Sequence, residues 1–202
     1  MLDGPITDSV EAMALAFNND HVSIYSASWG PTDNGKKLEG PGRLVRQALK
    51  NGVEQGRGGL GSIFTWASGN GGVYGDSCAC DGYVNSIYVM AISSTTDHGS
   101  KPWYLEECSG VLASTYSSGD KRRGQSSIAT TDLRHKCTKS HTATSAAAPI
   151  AAGIIALTLE ANKKLSWRDV MFIVALSARP NDKSKDFFKN AAGFYGNYIN
   201  IG

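Results

Sequence analysis

The chain has 202 residues, 41% hydrophobic and 19% charged, with a formal net charge of +2. That much apolar material supports one domain with a sizeable core and excludes disorder by composition. Twenty Lys and Arg against 18 Asp and Glu argue against a dedicated nucleic-acid binder, and the short basic run Lys121-Arg122-Arg123 reads as a solvated loop.

The predicted elements alternate in type. Residues 22–26 are β-branched and aromatic enough for a strand. In 41–55, Leu44, Val45, Ala48, Leu49 and Val53 recur at helical spacing, and Gly56 follows as a stop. Ile63–Ala67 reads as a short buried strand running into a glycine-rich turn, and 87–93 as another strand. Val111–Tyr116 and 127–131 are expected to pair with each other. Two helices follow at 145–161 and 166–177, the second capped by Ser166 with Asp169. This order predicts an α/β fold: a parallel sheet with helices on both faces, and ligands at the carboxyl ends of its strands. No apolar run reaches the ~20 residues of a membrane span. The best candidate, 146–159, is interrupted by Pro149 and suits a core helix. No signal peptide is read at the start, and 180–189 is the only linker-like stretch.

Two segments carry chemistry. His141-Thr142-Ala143-Thr144-Ser145-Ala146-Ala147-Ala148-Pro149 places Ser145 where a loop becomes a buried helix. There its own N–H is an open donor at a positive helix end and could stabilise an oxyanion. Read alone, the segment is also an ordinary Ser or Thr cap on an Ala-rich helix. Trp66-Ala67-Ser68-Gly69-Asn70-Gly71-Gly72 presents the Asn70 amide at a strand end. An amide there can donate to a tetrahedral oxyanion, although Asn-Gly is also plain turn chemistry. Read alone, Asp33, Asp76, Asp81 and Glu106 are surface carboxylates of turns. Cys78, Cys80, Cys108 and Cys137 admit three pairings, with zinc the weaker idea because Cys-x-Cys is tight for a knuckle.

Both segments resemble the subtilisin-like serine peptidases. Ordered stretches narrow the match to the furin- and kexin-like branch, the proprotein convertases: Met1-Leu2-Asp3-Gly4, Ile24-Tyr25-Ser26-Ala27-Ser28-Trp29-Gly30-Pro31, Cys80-Asp81-Gly82-Tyr83, Thr115-Tyr116-Ser117-Ser118-Gly119, Thr130-Thr131-Asp132-Leu133-Arg134 and Trp167-Arg168-Asp169. The resemblance implies Ser145 as nucleophile and Asn70 as oxyanion donor in a calcium-dependent endopeptidase that cleaves after paired basic residues. It implies Asp33 and Asp81 at the base of a pocket for a basic side chain, with Ser28, Trp29, Gly30, Ser68 and Gly69 as walls. Glu11 and Glu39 match more distant subsites, and Asp3 lies near the substrate. Asp33, Asp76 and Glu106 match the carboxylates that bind a calcium ion beneath the pocket. Cys78 is implied to pair with Cys108, and Cys137 with a cysteine upstream, in the oxidising secretory pathway. A propeptide and a downstream P-domain are the implied partners besides basic peptide substrates, with no nucleic acid and no membrane segment in this chain.

The family orders its triad Asp, His, Ser, and carries the first two upstream of the Met-Leu-Asp-Gly stretch. His21, His98, His135 and His141 offer no substitute, since none has an oriented partner in sight. The expectation is therefore a partial peptidase domain over 1–180, its sheet incomplete at the N-terminal side, with a divergent segment of the same domain at 181–202. Two departures stand out. Ala143 replaces the glycine of the family's Gly-Thr-Ser, and Pro5 follows Asp3-Gly4 where the family often has an acid. They leave a second reading, a catalytically inactive protein that binds basic peptides.

Overall fold

A computed structural model describes residues 4–180 and 199–200. Helix α1 (Asp8–Leu15) starts at Thr7, whose hydroxyl accepts the Val10 N–H. Strand β1 (Ile24–Ala27), helix α2 (Arg43–Gln55), β2 (Ile63–Ala67), β3 (Met90–Thr95) and β4 (Val111–Tyr116) follow. A hairpin of β5 (Ile128–Asp132) and β6 (Lys136–His141) leads into α3 (Thr144–Ala161) and α4 (Trp167–Ser177). The short strands β7 (Arg179–Pro180) and β8 (Ile199–Asn200) complete the order.

The main sheet runs β1-β2-β3-β4-β8-β7, parallel throughout except that β7 is antiparallel to β8. Every residue of β2 is buried, as in a sheet covered on both sides. Successive side chains on a strand point to opposite faces, and the two cores divide accordingly. Phe64 and Trp66 pack with Leu15, Val45, Leu49 and Val53 under α1 and α2. Ile63 and Ala67 pack with Ala147, Ala151, Ile155 and Val170 under α3 and α4. Helix α3 is long and apolar enough to cross a membrane by length and composition, but here Ala147, Ala148 and Ala151 are fully buried against the sheet. Ser166 and Asp169 form the expected capping box of α4.

Two expectations need correction. Residues 127–131 do not pair with β4. They form β5, whose partner is β6 (Thr131 opposite Cys137), while β4 is already flanked by β3 and β8. The strand expected at 87–93 begins only at Met90, because Ile87 lies in a turn and is 71% exposed. Helix α1 and strand β6 were not foreseen. Apart from Pro180, the linker-like stretch 180–189 lies outside the described residues, whereas β8, from the segment after 180, pairs Asn200 with Ser114.

Candidate active site

The carboxyl ends of β1 and β2 and the N-terminus of α3 meet at one rim. Asn70 follows β2, and its carboxamide oxygen accepts two bonds from Thr144, from the N–H at 2.9 Å and from Oγ1 at 2.9 Å. With two donors holding the oxygen, the amide NH2 is turned the other way, where it can donate. Ser145, the next residue, is half-buried at the second position of α3. The flanking N–H groups of Thr144 and Ala146 are occupied, by Asn70 Oδ1 and the Ala143 carbonyl. Thr144, bonded to Asn70 and adjacent in sequence to Ser145, brings the two candidate residues to the same rim.

Pro149 adds a detail inside α3. Having no N–H, it cannot donate to the carbonyl four residues back, which is that of Ser145. The hydroxyl of Ser28, just beyond β1, donates there instead at 3.1 Å. Two more contacts hold the same helix start, and a third fixes Asn70 beside it. Ser117 Oγ donates to the Ala143 carbonyl at 2.7 Å, Thr115 Oγ1 to the Ala147 carbonyl at 2.8 Å, and the Asn70 N–H to Asp33 Oδ2 at 2.8 Å. Thr144, Ser117 and Thr115 were not among the candidate residues. The signal was available, since Thr115 and Ser117 alternate along the end of β4 and Thr144 adjoins Ser145. Ala143 sits at φ 76° and ψ 177°, a region essentially reserved for glycine.

Below the rim lies a group of acids. Glu106 is buried at 4% exposure, and its Oε1 accepts the Gly71 N–H at 2.8 Å. Asp76 accepts from Gly35 and Ser77 N–H groups, each at 2.8 Å. A Cβ on Gly71 would stand 2.6 Å from Asp76 Cβ and 3.1 Å from both Asp33 Cβ and Glu106 Oε1, so only glycine admits these three acids together. Gly69, at φ +101°, is pressed against Glu106 in the same way, 2.4 Å from Oε1 to its would-be Cβ. Burial pushes the Glu106 carboxyl up to about 7, opposed by the Gly71 N–H and helped by the charges of Asp33, Asp76 and Asp81. Burial likewise pushes Asp81 up to about 6, against the bonds it receives from Tyr83 and Val84 N–H, with Asp33 and Asp76 adding to the rise. Each of the acids is bonded to backbone N–H groups, and among the described residues no three His, Cys, Asp or Glu side chains are gathered as a metal-binding group.

Asp81 Oδ2 lies against Gly30, 3.1 Å from where a Cβ would be. The Ser28-Trp29-Gly30 segment is fixed from beneath, because Trp66 Nε1 donates to the Trp29 carbonyl at 2.7 Å and Trp29, Trp66 and Tyr83 stack in one cluster. Tyr83 donates its hydroxyl to Glu11 Oε2 at 2.8 Å, and burial followed by that carboxylate raises its pKa. Glu11 is therefore engaged by the core side of this cluster. Glu39 is exposed, paired with Lys37 at 3.5 Å, and its backbone bridges to Asp81. Ser68 is fully buried, with no hydrogen-bond partner for its hydroxyl among the described residues. Asp3 lies outside the described residues.

The four histidines His21, His98, His135 and His141 are all exposed. Cys78 and Cys108 form a disulfide, while Cys80 and Cys137 are free thiols.

A family model described as "Subtilase family" matches residues 2–196. Human furin is 60% identical over 194 residues, 96% of this chain and 24% of furin. Human proprotein convertase subtilisin/kexin type 5 is 60% identical over 195 residues, 96% of this chain and 10% of that protein. The chain thus spans about a quarter or less of the length of these curated relatives. The fold is similar to that of a serine protease from Aeromonas sobria, with a TM-score of 0.75 at 15% identity, covering 96% of this chain and 41% of the other.

Proposed function

Because the chain belongs to the subtilase family, we propose that it is part of the catalytic domain of a calcium-dependent serine endopeptidase that cleaves after paired basic residues. One observation carries this reading: Thr144 holds the Asn70 oxygen, which leaves the amide donor beside Ser145. Ser145 Oγ adds to the scissile carbonyl carbon and passes its proton to a histidine outside this chain, oriented by an aspartate also outside it. The Asn70 amide and the Ser145 N–H take the charge that develops on oxygen. The C–N bond then breaks as the amine regains a proton, and water releases the acyl group from Ser145 by the same steps.

Asp33 and Asp81 serve the basic side chain of the substrate, with Ser28–Gly30 and Ser68–Asn70 as walls. A buried cation needs carboxylates and carbonyls in place of its water. Glu11 and Glu39 belong to more distant subsites, and Asp3 is an acid close to the substrate. Asp33, Asp76 and Glu106 suit calcium in kind: all are oxygen donors, drawn around one glycine, with a buried carboxyl whose neighbours repel its charge. Held by these residues, calcium would supply the counter-charge that Glu106 needs to ionise beside Asp33 and Asp76. The Cys78–Cys108 disulfide fits a secretory-pathway protein, whose propeptide and P-domain are the expected partners.

Two measurements test the reading. The 202-residue chain alone should give no turnover of an Arg-Lys-Arg-Arg reporter peptide, and turnover that disappears in Ser145→Ala sinks that expectation. In the full-length protein, Asn70→Asp keeps the oxygen that Thr144 grips and removes the amide donor. It should cost about 10²–10³ in kcat at an unchanged thermal midpoint. The alternative, a peptide-binding protein without turnover, is favoured by the strained Ala143. It predicts a full-length protein that binds the same peptide and leaves it intact.

A further inference from the structure

On the α1/α2 face, away from Ser145, a cavity of about 600 Å3 opens between α2 and the segment after Asp81. Its lining includes Arg43, Arg46, Gln47 and Lys50 from α2, with Ser86 and Tyr88 opposite. The four α2 positions fall at i, i+3, i+4 and i+7, one stripe of the helix, while Val45, Ala48, Leu49 and Val53 on the other side are buried in the core. The volume is that of a small-molecule site, within the usual range of about 300–1,000 Å3.

The charge of this cavity is positive and only partly countered. Asp8 interacts electrostatically with Arg43 and Arg46 without forming an ion pair, and its two oxygens accept the Leu44 and Val45 N–H groups, each at 3.0 Å. Glu54 meets Lys50 at 3.8 Å with both side chains about half exposed, an arrangement that holds little energy. Among the described residues neither Arg43 nor Arg46 forms an ion pair. Arg46 Nε donates to the Pro41 carbonyl at 2.9 Å, which fixes the guanidinium while leaving its two terminal nitrogens to donate. Two guanidinium forks and an ammonium suit tetrahedral oxyanions. Tyr88, half-buried against the core, adds an aromatic side chain to the lining.

We infer that this cavity binds a sugar-sized ring carrying several sulfate or phosphate esters, at a site separate from the peptide cleft. Gly82 lines the cavity, and Asp81 beside it faces Gly30 on the far side of the same segment. The two sites therefore share one wall.

Calorimetric titration of the full-length protein with a heparin-derived tetrasaccharide, its desulfated counterpart and inositol hexakisphosphate tests the inference. At least one of the two charged probes should bind, more weakly as salt rises, and the desulfated sugar should not. Which charged probe binds tighter assigns sulfate or phosphate as the source. Arg43→Gln with Arg46→Gln should weaken binding about tenfold or more, with the circular dichroism spectrum retained. Arg122→Gln with Arg123→Gln, in the other basic cluster, should leave it unchanged. No binding of either charged probe overturns the inference, as does equal weakening by the two double variants.

Discussion

At residue 143 an alanine occupies backbone space that suits glycine. Its φ of 76° with ψ of 177° places Cβ against the neighbouring carbonyl, a conformation that costs of order 1–3 kcal/mol for a non-glycine residue. It persists because both sides are held: Ser117 Oγ donates to the Ala143 carbonyl, and Asn70 grips Thr144. Ala143→Gly should therefore raise stability by about 1 kcal/mol, the relief of strain reduced by the flexibility that glycine brings to the unfolded chain. Chemical denaturation reads this directly. A midpoint that falls on substitution would show that the alanine is accommodated without strain.

At the scale of elements, the start of α3 is held from outside the helix. Pro149 removes one internal hydrogen bond, and Ser28 replaces its donor at the Ser145 carbonyl. This links the end of β1 to the residue that carries the candidate nucleophile. Ser28→Ala should cost about 1 kcal/mol. Pro149→Ala restores an N–H to that carbonyl, so the Ser28→Ala cost should shrink in its background. A double-mutant cycle by urea denaturation measures the coupling, and additive effects would mean that the Ser28 bond does not stand in for the one that Pro149 removes.

The elements that were legible in the sequence are those whose environment is uniform. Ile63–Ala67 is buried on both faces and reads as an unbroken apolar run, and α2 shows its stripe because one side alone is buried. The β5–β6 hairpin was missed for a physical reason. Its turn sets Arg134 and His135 at φ 57° and 58°, a left-handed pair that ordinarily announces itself with Asn-Gly or Gly-Gly. Without that signal, β5 was assigned to the wrong neighbour. Ile87 misled in the opposite direction, an apolar residue left in solvent by a turn. Helix α1 carried its signs in Thr7, Asp8 and Glu11, but it buries only Leu15 and shows little periodicity. At the candidate site, Ser145 and Asn70 are proposed from type and position alone. The role of Thr144 between them could not be read that way, because it depends on β2 and α3 meeting across 74 residues of chain.

Across the whole molecule, the acids under the rim set the response to pH. Glu106 and Asp81 have folded-state pKa values raised to about 7 and about 6, from 4.5 and 3.8. A raised carboxyl pKa means that the native state holds protons the unfolded state has released, so stability falls as pH rises through that window. In chelator the thermal midpoint should decline from about pH 4 to 7 through these two groups, and Glu106→Gln should flatten the decline. On the proposed reading calcium would reverse the logic, because it would bind the ionised acids. Its stabilisation should grow over the same window and be accompanied by proton release, measurable by calorimetry in buffers of different ionisation enthalpy.

The Cys78–Cys108 disulfide connects the two parts of this acid group. Cys78 begins the turn that carries Asp81, and Cys108 follows Glu106 by two residues, across a sequence separation of 30. Closing a loop of that size stabilises a fold by about 3–4 kcal/mol, chiefly through the unfolded chain. The bond also keeps mutually repelling carboxylates at fixed spacing, a task that grows harder as they ionise. Cys78→Ser with Cys108→Ser should lower stability by about 2–4 kcal/mol, and the loss should be larger at pH 8 than at pH 5, where Glu106 is protonated. It should also weaken calcium binding. A loss equal at both pH values, with calcium affinity retained, would mean that the disulfide acts on the unfolded chain alone and leaves the spacing of the acids to the glycines.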